Sequence, residues 1–161
     1  MRSITTSVFA AAAFAAIVPF HATSVRADNG FVGVWYDDTG RGAVELSQCG
    51  QRLCGRIVWL RKPLDKSGKP LTDRLNPKVS RRARPICGLQ VIGNLVRQSD
   101  GSWDGGWIYD PKRGAAFDVE LTLESPRKLR VLGYKGVKLF SKTLYWRRAP
   151  DNIERCSSRS S

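Results

Sequence analysis

The chain has 161 residues, enough for one compact domain and short for two. Hydrophobic residues make up 42% and charged residues 25%, a composition that excludes a largely disordered chain and a protein with several membrane spans. Lys and Arg number 27 against 14 Asp and Glu, giving a formal net charge of +13, so the chain is expected to be attracted to anionic surfaces.

The first 27 residues have the organisation of a secretory signal peptide. Arg2 precedes an apolar stretch at 8–20, and small residues lead up to Ala27. The apolar stretch is shorter than the roughly 20 residues that a helix needs to cross a bilayer, which favours cleavage over a permanent membrane anchor. We therefore predict a cleavable signal peptide at 1–27, a single domain at 28–161 and a periplasmic or secreted location.

Cleavage would remove His21, the only histidine, and the loss of Arg2 and Arg26 would lower the net charge from +13 to +11. A chain without histidine has no Ser-His-Asp or Cys-His catalytic system and no histidine metal site. Two enzymatic alternatives remain, acid–base catalysis by lysine and tyrosine and carboxylate-based hydrolysis, the latter with these acidic candidates: Asp37, Asp38, Asp104, Asp110, Asp118 and Glu120. Their positions in turns and on polar strand faces favour solvated residues. The sequence therefore predicts no catalytic residues, no metal and no cofactor.

Eight short apolar stretches separated by turn residues follow the signal segment: 32–36, 43–49, 54–60, 89–97, 105–109, 115–123, 129–134 and 138–147. Short connections favour antiparallel neighbours, and no long stretch has helical apolar spacing. We predict an all-β fold, a single antiparallel up-and-down barrel of about eight strands.

Four cysteines follow the signal segment, an even number that favours disulfides in an exported chain. Cys49 and Cys54 flank four residues that we interpret as a hairpin loop, and this predicts a bridge between the two strands. Cys87 would then pair with Cys156 and hold the C-terminal tail. The alternative, a zinc site, is disfavoured because the cysteines do not form two short pairs.

The first hairpin acquires a register if Cys49 opposes Cys54. Glu45 and Arg56 then lie on the outer face, where they can pair diagonally. The inner face of this hairpin is apolar and consists of Val44, Leu46, Ile57 and Trp59. These residues either pack the core or line a ligand cavity. The same two alternatives hold for the aromatic residues, and core packing is favoured for most of them.

Residues 61–86, which we call the basic segment, break the pattern of short turns. The segment holds nine cations: Arg61, Lys62, Lys66, Lys69, Arg74, Lys78, Arg81, Arg82 and Arg84. Only Asp65 and Asp73 oppose them. Asn76 followed by Pro77 predicts a short basic helix over 77–84. The segment is either a cover over the barrel mouth, a surface for an anionic partner, or a solvated loop.

An ordered set of motifs runs through the domain: Gly33-Val34-Trp35-Tyr36, the run from Cys49 to Trp59, Asp73 with Asn76-Pro77, Gly106-Trp107-Ile108-Tyr109-Asp110-Pro111, Gly133-Tyr134 and Trp146-Arg147. From about residue 33 to residue 148, this set resembles the domain-of-unknown-function 2147 family. The resemblance implies a small secreted bacterial protein with a calycin or lipocalin-like barrel, and it implies no established activity.

Gly33 and Trp35 on the first strand are also similar to the lipocalin signature, in which an arginine after the last strand stacks on the tryptophan. Arg147 and Arg148 are the two candidates for that arginine. The resemblance gives all four residues a structural role.

Three functions from different classes remain. In the first, a small apolar or amphipathic ligand binds in the barrel against Val44, Leu46, Ile57 and Trp59, and its acidic head contacts a cationic set: Arg61, Lys62, Arg81, Arg82 and Arg84. In the second, the cations at 61–84 bind an anionic envelope partner. In the third, the protein inhibits a secreted enzyme, although its charge would repel a basic target. Nucleic-acid binding is disfavoured by the exported location.

Overall fold

The computed structural model describes residues 30–156. They form a closed barrel of eight strands: β1 (Gly33–Tyr36), β2 (Gly42–Cys49), β3 (Arg52–Leu60), β4 (Gln90–Arg97), β5 (Trp103–Asp110), β6 (Ala115–Ser125), β7 (Lys128–Lys135) and β8 (Val137–Arg148). Each strand pairs antiparallel with the next one in the chain, and β8 returns to β1. The predicted up-and-down barrel is confirmed.

The predicted signal peptide at 1–27 lies outside the described residues. Within 30–156, no helix is long and apolar enough to cross a membrane.

The up-and-down order gives the barrel two distinct ends. One end, which we call the closed end, holds the start of β1 and the tight turns after β2, β4 and β6. The other, which we call the mouth end, holds the connections 37–41, 61–89 and 111–114 and the β7–β8 hairpin tip. The basic segment therefore belongs to the mouth end.

The first hairpin has a tighter turn than predicted. Gly50, with a φ of 68°, and Gln51 form a two-residue turn, so that Cys49 pairs with Arg52 and Ser47 pairs with Cys54. The predicted pairing of Cys49 opposite Cys54 is wrong by two positions. The disulfide between them nevertheless forms along a diagonal, with Cα atoms 6.0 Å apart. The second predicted disulfide, Cys87–Cys156, is also present.

A bulge in the same hairpin moves Trp59 away from the inner face. Ala43 pairs with Trp59 while Val44 pairs with Ile57, so β3 has one residue more than β2 at this point. The Trp59 ring instead packs on a small second cluster made by Val34, Ala43 and Ala149. The inner-face prediction is therefore wrong for Trp59, whereas Val44, Leu46 and Ile57 belong to the main core.

Glu45 also has a different partner from the predicted one. It lies directly opposite Arg56 in the register, but its carboxylate accepts two hydrogen bonds from Arg155 in the C-terminal tail, at 2.8 and 2.6 Å. Arg56 donates to the carbonyl of Gly88 at 3.2 Å. The expected pair of Glu45 with Arg56 does not form. The C-terminal tail supplies the partner of Glu45, and the residues before β4 supply the partner of Arg56.

The closed end is sealed by an arginine over a tryptophan. Trp35 is completely buried, and its indole N–H donates to the carbonyl of Phe31 at 2.8 Å. The guanidinium of Arg148 lies 4.2 Å from the centre of the Trp35 ring and donates to the carbonyl of Val32 at 2.6 Å. Of the two candidate arginines, Arg148 occupies this position, whereas Arg147 lies 6.0 Å from the Tyr36 ring.

The basic segment contains less helix than the sequence predicted. A single 3-10 turn spans Val79–Arg81, in place of a helix over 77–84. Asn76 does not cap an α-helix, because its side-chain amide group donates to Asp73 and Tyr109 while its oxygen accepts the N–H of Lys78 at 2.9 Å. Long-range contacts therefore override the local helix signal.

Candidate functional site

A buried polar cluster fastens the basic segment to the barrel wall. The carboxylate of Asp73 is completely buried and accepts hydrogen bonds from the hydroxyl of Tyr109 at 2.7 Å, the amide of Asn76 at 2.7 Å and the guanidinium of Arg84 at 2.9 Å. Asn76 also donates to the Tyr109 hydroxyl at 3.1 Å. Because Tyr109 belongs to β5, these four residues, which we call the anchor cluster, join the segment to a strand.

The pKa of Tyr109 and the hydrogen bonds to Asp73 indicate that the anchor cluster has a structural role. Burial raises the pKa of Tyr109, and its hydrogen bond to Asp73 raises it further, so the phenol remains a proton donor at neutral pH. Both carboxylate oxygens of Asp73 already accept hydrogen bonds from the protein. The cluster therefore holds the chain in place, and the complete burial of Asp73 keeps its carboxylate away from a substrate in solvent.

Apolar contacts also hold the end of the basic segment and the residues that follow it. Ile86 and Leu89 are buried in the main core. The N–H of Ile57 donates to the carbonyl of Leu89 at 3.0 Å, and the N–H of Gly88 donates back to Ile57 at 2.8 Å. The backbone of Leu75 also fits so closely against the β5–β6 turn that a side chain at Gly114 would collide with it. The segment is thus fixed along the mouth end.

The predicted cationic residues fall into two groups. Arg61, Lys62, Arg81 and Arg82 are exposed, and Arg82 also donates to the carbonyl of Asn76 at 2.8 Å. Arg84 differs, because its guanidinium is committed to Asp73 in the anchor cluster. Four of the five predicted ligand-binding cations are therefore exposed on the surface, and the fifth, Arg84, belongs to the anchor cluster.

Acidic residues at the mouth end are engaged within their own turns. Asp65 accepts hydrogen bonds from the hydroxyl of Ser67 and from backbone N–H groups, which lowers its pKa. Asp37 accepts from Thr39 and from the backbone of Arg41 in the β1–β2 turn. These carboxylates stabilise local backbone, so the more numerous cations give the mouth end an excess of positive charge.

The predicted apolar ligand contacts are packed inside the barrel. Leu46 is completely buried, and Val44 and Ile57 are nearly so. They belong to one continuous core with other completely buried side chains: Trp35, Leu53, Ile92, Leu95, Val119, Leu121 and Leu129. A ligand among these residues would have to displace them, since interiors of this kind are close-packed.

A surface concavity of about 180 Å³ lies at the closed end. Its lining residues are Gln48, Gly50, Gln51, Arg97 and Trp103. None of the predicted ligand-binding residues lines it. Its volume is below the roughly 300 Å³ at which sites for small organic ligands begin.

Two of the acidic candidates meet on the outer face of the barrel. Lys138 donates to Asp104 at 2.6 Å and also to Glu120, and Arg130 donates to Glu120 at 2.8 Å. Tyr134 donates to Asp104 at 2.8 Å, and burial together with this bond raises the pKa of Tyr134 to about 12.

Asp104 does not have the environment of the acid in a glycosidase pair. Partial burial opposes the ionisation of Asp104, but hydrogen bonds from Lys138, the N–H of Gly105 and Tyr134 together lower its pKa. A hydrolase of that class needs one carboxyl group that stays protonated near neutral pH. The arrangement suits an ion-pair network that ties β5, β6, β7 and β8 together.

Sequence reasoning missed the anchor cluster. Asp73, Asn76 and Tyr109 all stand in the motifs of the family resemblance, but Asp73 and Tyr109 are 36 positions apart and nothing local connects them. The one sequence feature that could have indicated this contact is that all three residues belong to the motifs shared with the family.

Comparisons with known proteins agree with the fold. A family model described as an uncharacterised protein conserved in bacteria, DUF2147, matches residues 33–148. The chain is similar to the solved structure of HP1028 from Helicobacter pylori, described as belonging to the lipocalin family, with a TM-score of 0.63 and 21% identity over 75% of this chain and 84% of that one. At this identity the likeness shows the fold alone. No curated protein matches the chain.

Proposed function

The chain belongs to the DUF2147 family, whose description names no activity, and we propose from its geometry that it is an exported binding protein for an anionic partner in the cell envelope. The partner contacts the exposed cations of the basic segment at the mouth end of the barrel. Two disulfides support an oxidising compartment, as does the signal-like segment at 1–27.

One observation carries this proposal: the exposed cations lie on a segment that the anchor cluster holds in place. A mobile chain of lysines and arginines would lose conformational freedom on binding, whereas cations on an anchored segment lose less. The exposed Arg74, Lys78 and Arg81 lie on either side of the anchor residue Asn76. The packed core favours this surface over an apolar ligand inside the barrel.

The test uses heparin as a soluble polyanion and changes Arg74, Lys78 and Arg81 to glutamate. We leave Arg84 unchanged, because its removal would break the anchor cluster. A matched control makes the same charge change at the closed end, with glutamate at the exposed positions Arg52, Arg97 and Arg127.

We expect the parent to bind heparin in a salt-dependent way and the mouth-end variant to bind at least about ten-fold more weakly, since several charge contacts are reversed. The closed-end variant should lose much less affinity. Equal losses in the two variants would mean that net charge alone drives binding, and this result would overturn the proposal, as would a parent that does not bind.

A further inference from the structure

An irregularity in the last hairpin pushes two large apolar side chains into solvent. Lys135 pairs with Val137 and Tyr134 pairs with Ser141, so β8 inserts three extra residues, Lys138–Phe140, between consecutive positions of β7. A bulge of this size turns its residues out of the sheet. Leu139 is 83% exposed and Phe140 is 77% exposed.

The bulge is held in place by its first residue. The ammonium group of Lys138 turns back to the outer face of the barrel, where it donates to Asp104 and Glu120. It also lies 5.6 Å from the centre of the Tyr134 ring. These contacts of Lys138 stabilise the bulge, and the bulge in turn keeps Leu139 and Phe140 exposed.

The exposed apolar residues of the protein collect at one end. Ten large hydrophobic side chains are exposed among the described residues, and seven of them lie in the basic segment or at the tip of the β7–β8 hairpin. These seven are Leu64, Leu71, Leu75, Val79, Val137, Leu139 and Phe140. Along the basic segment these apolar side chains alternate with the cations, and the hairpin tip adds Val137, Leu139 and Phe140 to the same end of the barrel.

We propose that the mouth end docks on a lipid bilayer with anionic headgroups and that Leu139 and Phe140 enter the membrane interface. This inference rests on the proposed function and names the anionic partner. The cations of the basic segment contact headgroups, and the hairpin tip reaches the level of the acyl chains.

The mixture of chemistries favours lipid over other anionic partners. A polysaccharide offers negative charge but no apolar layer, so it would leave Leu139 and Phe140 in water. A lipid surface supplies both, with charge at the headgroups and hydrocarbon below them. The residues next to the tip fit this arrangement, because Lys135 and Lys142 are exposed and have stems long enough to keep their charges among the headgroups.

The experiment measures sedimentation with vesicles of phosphatidylglycerol, which is anionic, and of phosphatidylcholine, which has no net charge. The test variant carries Leu139→Ser and Phe140→Ser, two changes at exposed positions that leave the core intact. A matched control carries Val32→Ser and Val96→Ser, two exposed apolar positions outside the mouth end. Heparin binding of every variant is measured in parallel, and ultracentrifugation gives the oligomeric state.

We expect the parent to prefer phosphatidylglycerol and the Leu139/Phe140 variant to bind these vesicles at least about ten-fold more weakly, with unchanged heparin binding. The Val32/Val96 control should bind like the parent. If the Leu139/Phe140 variant binds vesicles as tightly as the parent, the inference is overturned while the proposed function stands.

Three other results are equally decisive. A parent that binds heparin but no vesicles overturns the inference alone. A parent that binds neither overturns the proposed function with it. A parent that dimerises, with a monomeric Leu139/Phe140 variant, would assign the hairpin tip to contact between copies of this chain and would also overturn the inference.

Discussion

Arg148 stabilises the closed end through two kinds of contact. Its guanidinium stacks on the ring of Trp35, and it also donates to the backbone carbonyls of Val32 and Gly30, which lead into β1. The short first strand pairs with β8 at only two positions, Trp35 with Arg148 and Tyr36 with Arg147. The side chain of Arg148 therefore adds contacts where the pairing between β1 and β8 is short.

Replacement of Arg148 by alanine should lower the free energy of unfolding by about 2 kcal/mol, because both the stacking and the hydrogen bonds to the chain entry are lost. Arg147→Ala is the matched control, since Arg147 is exposed and its guanidinium lies 6.0 Å from the centre of the Tyr36 ring. We expect it to cost a few tenths of a kcal/mol. Urea denaturation of both variants measures the difference, and equal losses would contradict the role of Arg148.

Sequence alone narrowed this contact to two residues but did not choose between them. Adjacent strand residues face opposite sides, so the choice depends on which face of β8 meets the Trp35 ring. That facing is set by the pairing of β8 with β7 and β1, which no local pattern contains. The anchor cluster was harder to predict, since Asp73 and Tyr109 are 36 positions apart and their contact depends on the path of the basic segment across β5.

The basic segment shows how a long connection becomes part of a fold. Its polar contacts centre on Asp73, and its apolar end at Ile86 enters the core. Because it is anchored in this way, its exposed cations keep a fixed arrangement over the mouth end. A solvated loop, one of the alternatives that the sequence left open, would have no such buried contacts.

We expect Asp73→Asn to loosen this segment and to lower the free energy of unfolding by about 2 kcal/mol, because it removes the ion pair with Arg84 and weakens the bond from Tyr109. The cost stays below that of a fully buried pair since Arg84 is partly exposed and can be solvated. Limited trypsin digestion should then cut within the segment faster than in the parent.

Asp65→Asn is the control, because the Asp65 carboxylate accepts hydrogen bonds only from Ser67 and Lys69, within its own turn. We expect its digestion rate at the anchor cluster to match that of the parent. If Asp73→Asn digests no faster than Asp65→Asn, the segment is held by its apolar end alone.

Element order and strand positions were predictable because alternation of apolar and polar residues repeats along each strand. Single-residue irregularities were not. The bulge at Val58 reverses the facing of Trp59 without leaving a mark in the local alternation, and the two-residue turn at Gly50 shifts the hairpin pairing by two positions. The choice between a two-residue and a four-residue turn sets the register of the hairpin, and a bulge changes that register at one further point, so an error at either place changes the facing of several side chains.

At the scale of the whole molecule, the C-terminal tail crosses the outer face of the barrel wall and packs against it. Ala149 and Ile153 pack with Trp59 on the second cluster, and the N–H of Cys156 donates to the carbonyl of Val58 at 2.7 Å. The disulfide from Cys156 to Cys87 then ties the tail to the end of the basic segment. The disulfide thus connects the tail to the residue that follows the basic segment, and the hydrogen bond to Val58 connects the tail to β3.

The two disulfides should therefore differ in their effect on stability. Cys87–Cys156 spans 69 positions and Cys49–Cys54 only 5, so the chain-entropy model gives about 4 kcal/mol for the first and about 2 kcal/mol for the second. Urea denaturation of the two double serine variants, one for each disulfide, measures these losses of stability.

Loss of the Cys87–Cys156 bridge should also free the tail and expose Trp59, which a red shift of tryptophan fluorescence in the folded state detects. The Cys49/Cys54 variant should keep the parent's emission, because its bridge holds no part of the tail. Equal losses of stability, or an unshifted spectrum in the Cys87/Cys156 variant, would show that packing of Ala149 and Ile153 holds the tail without help.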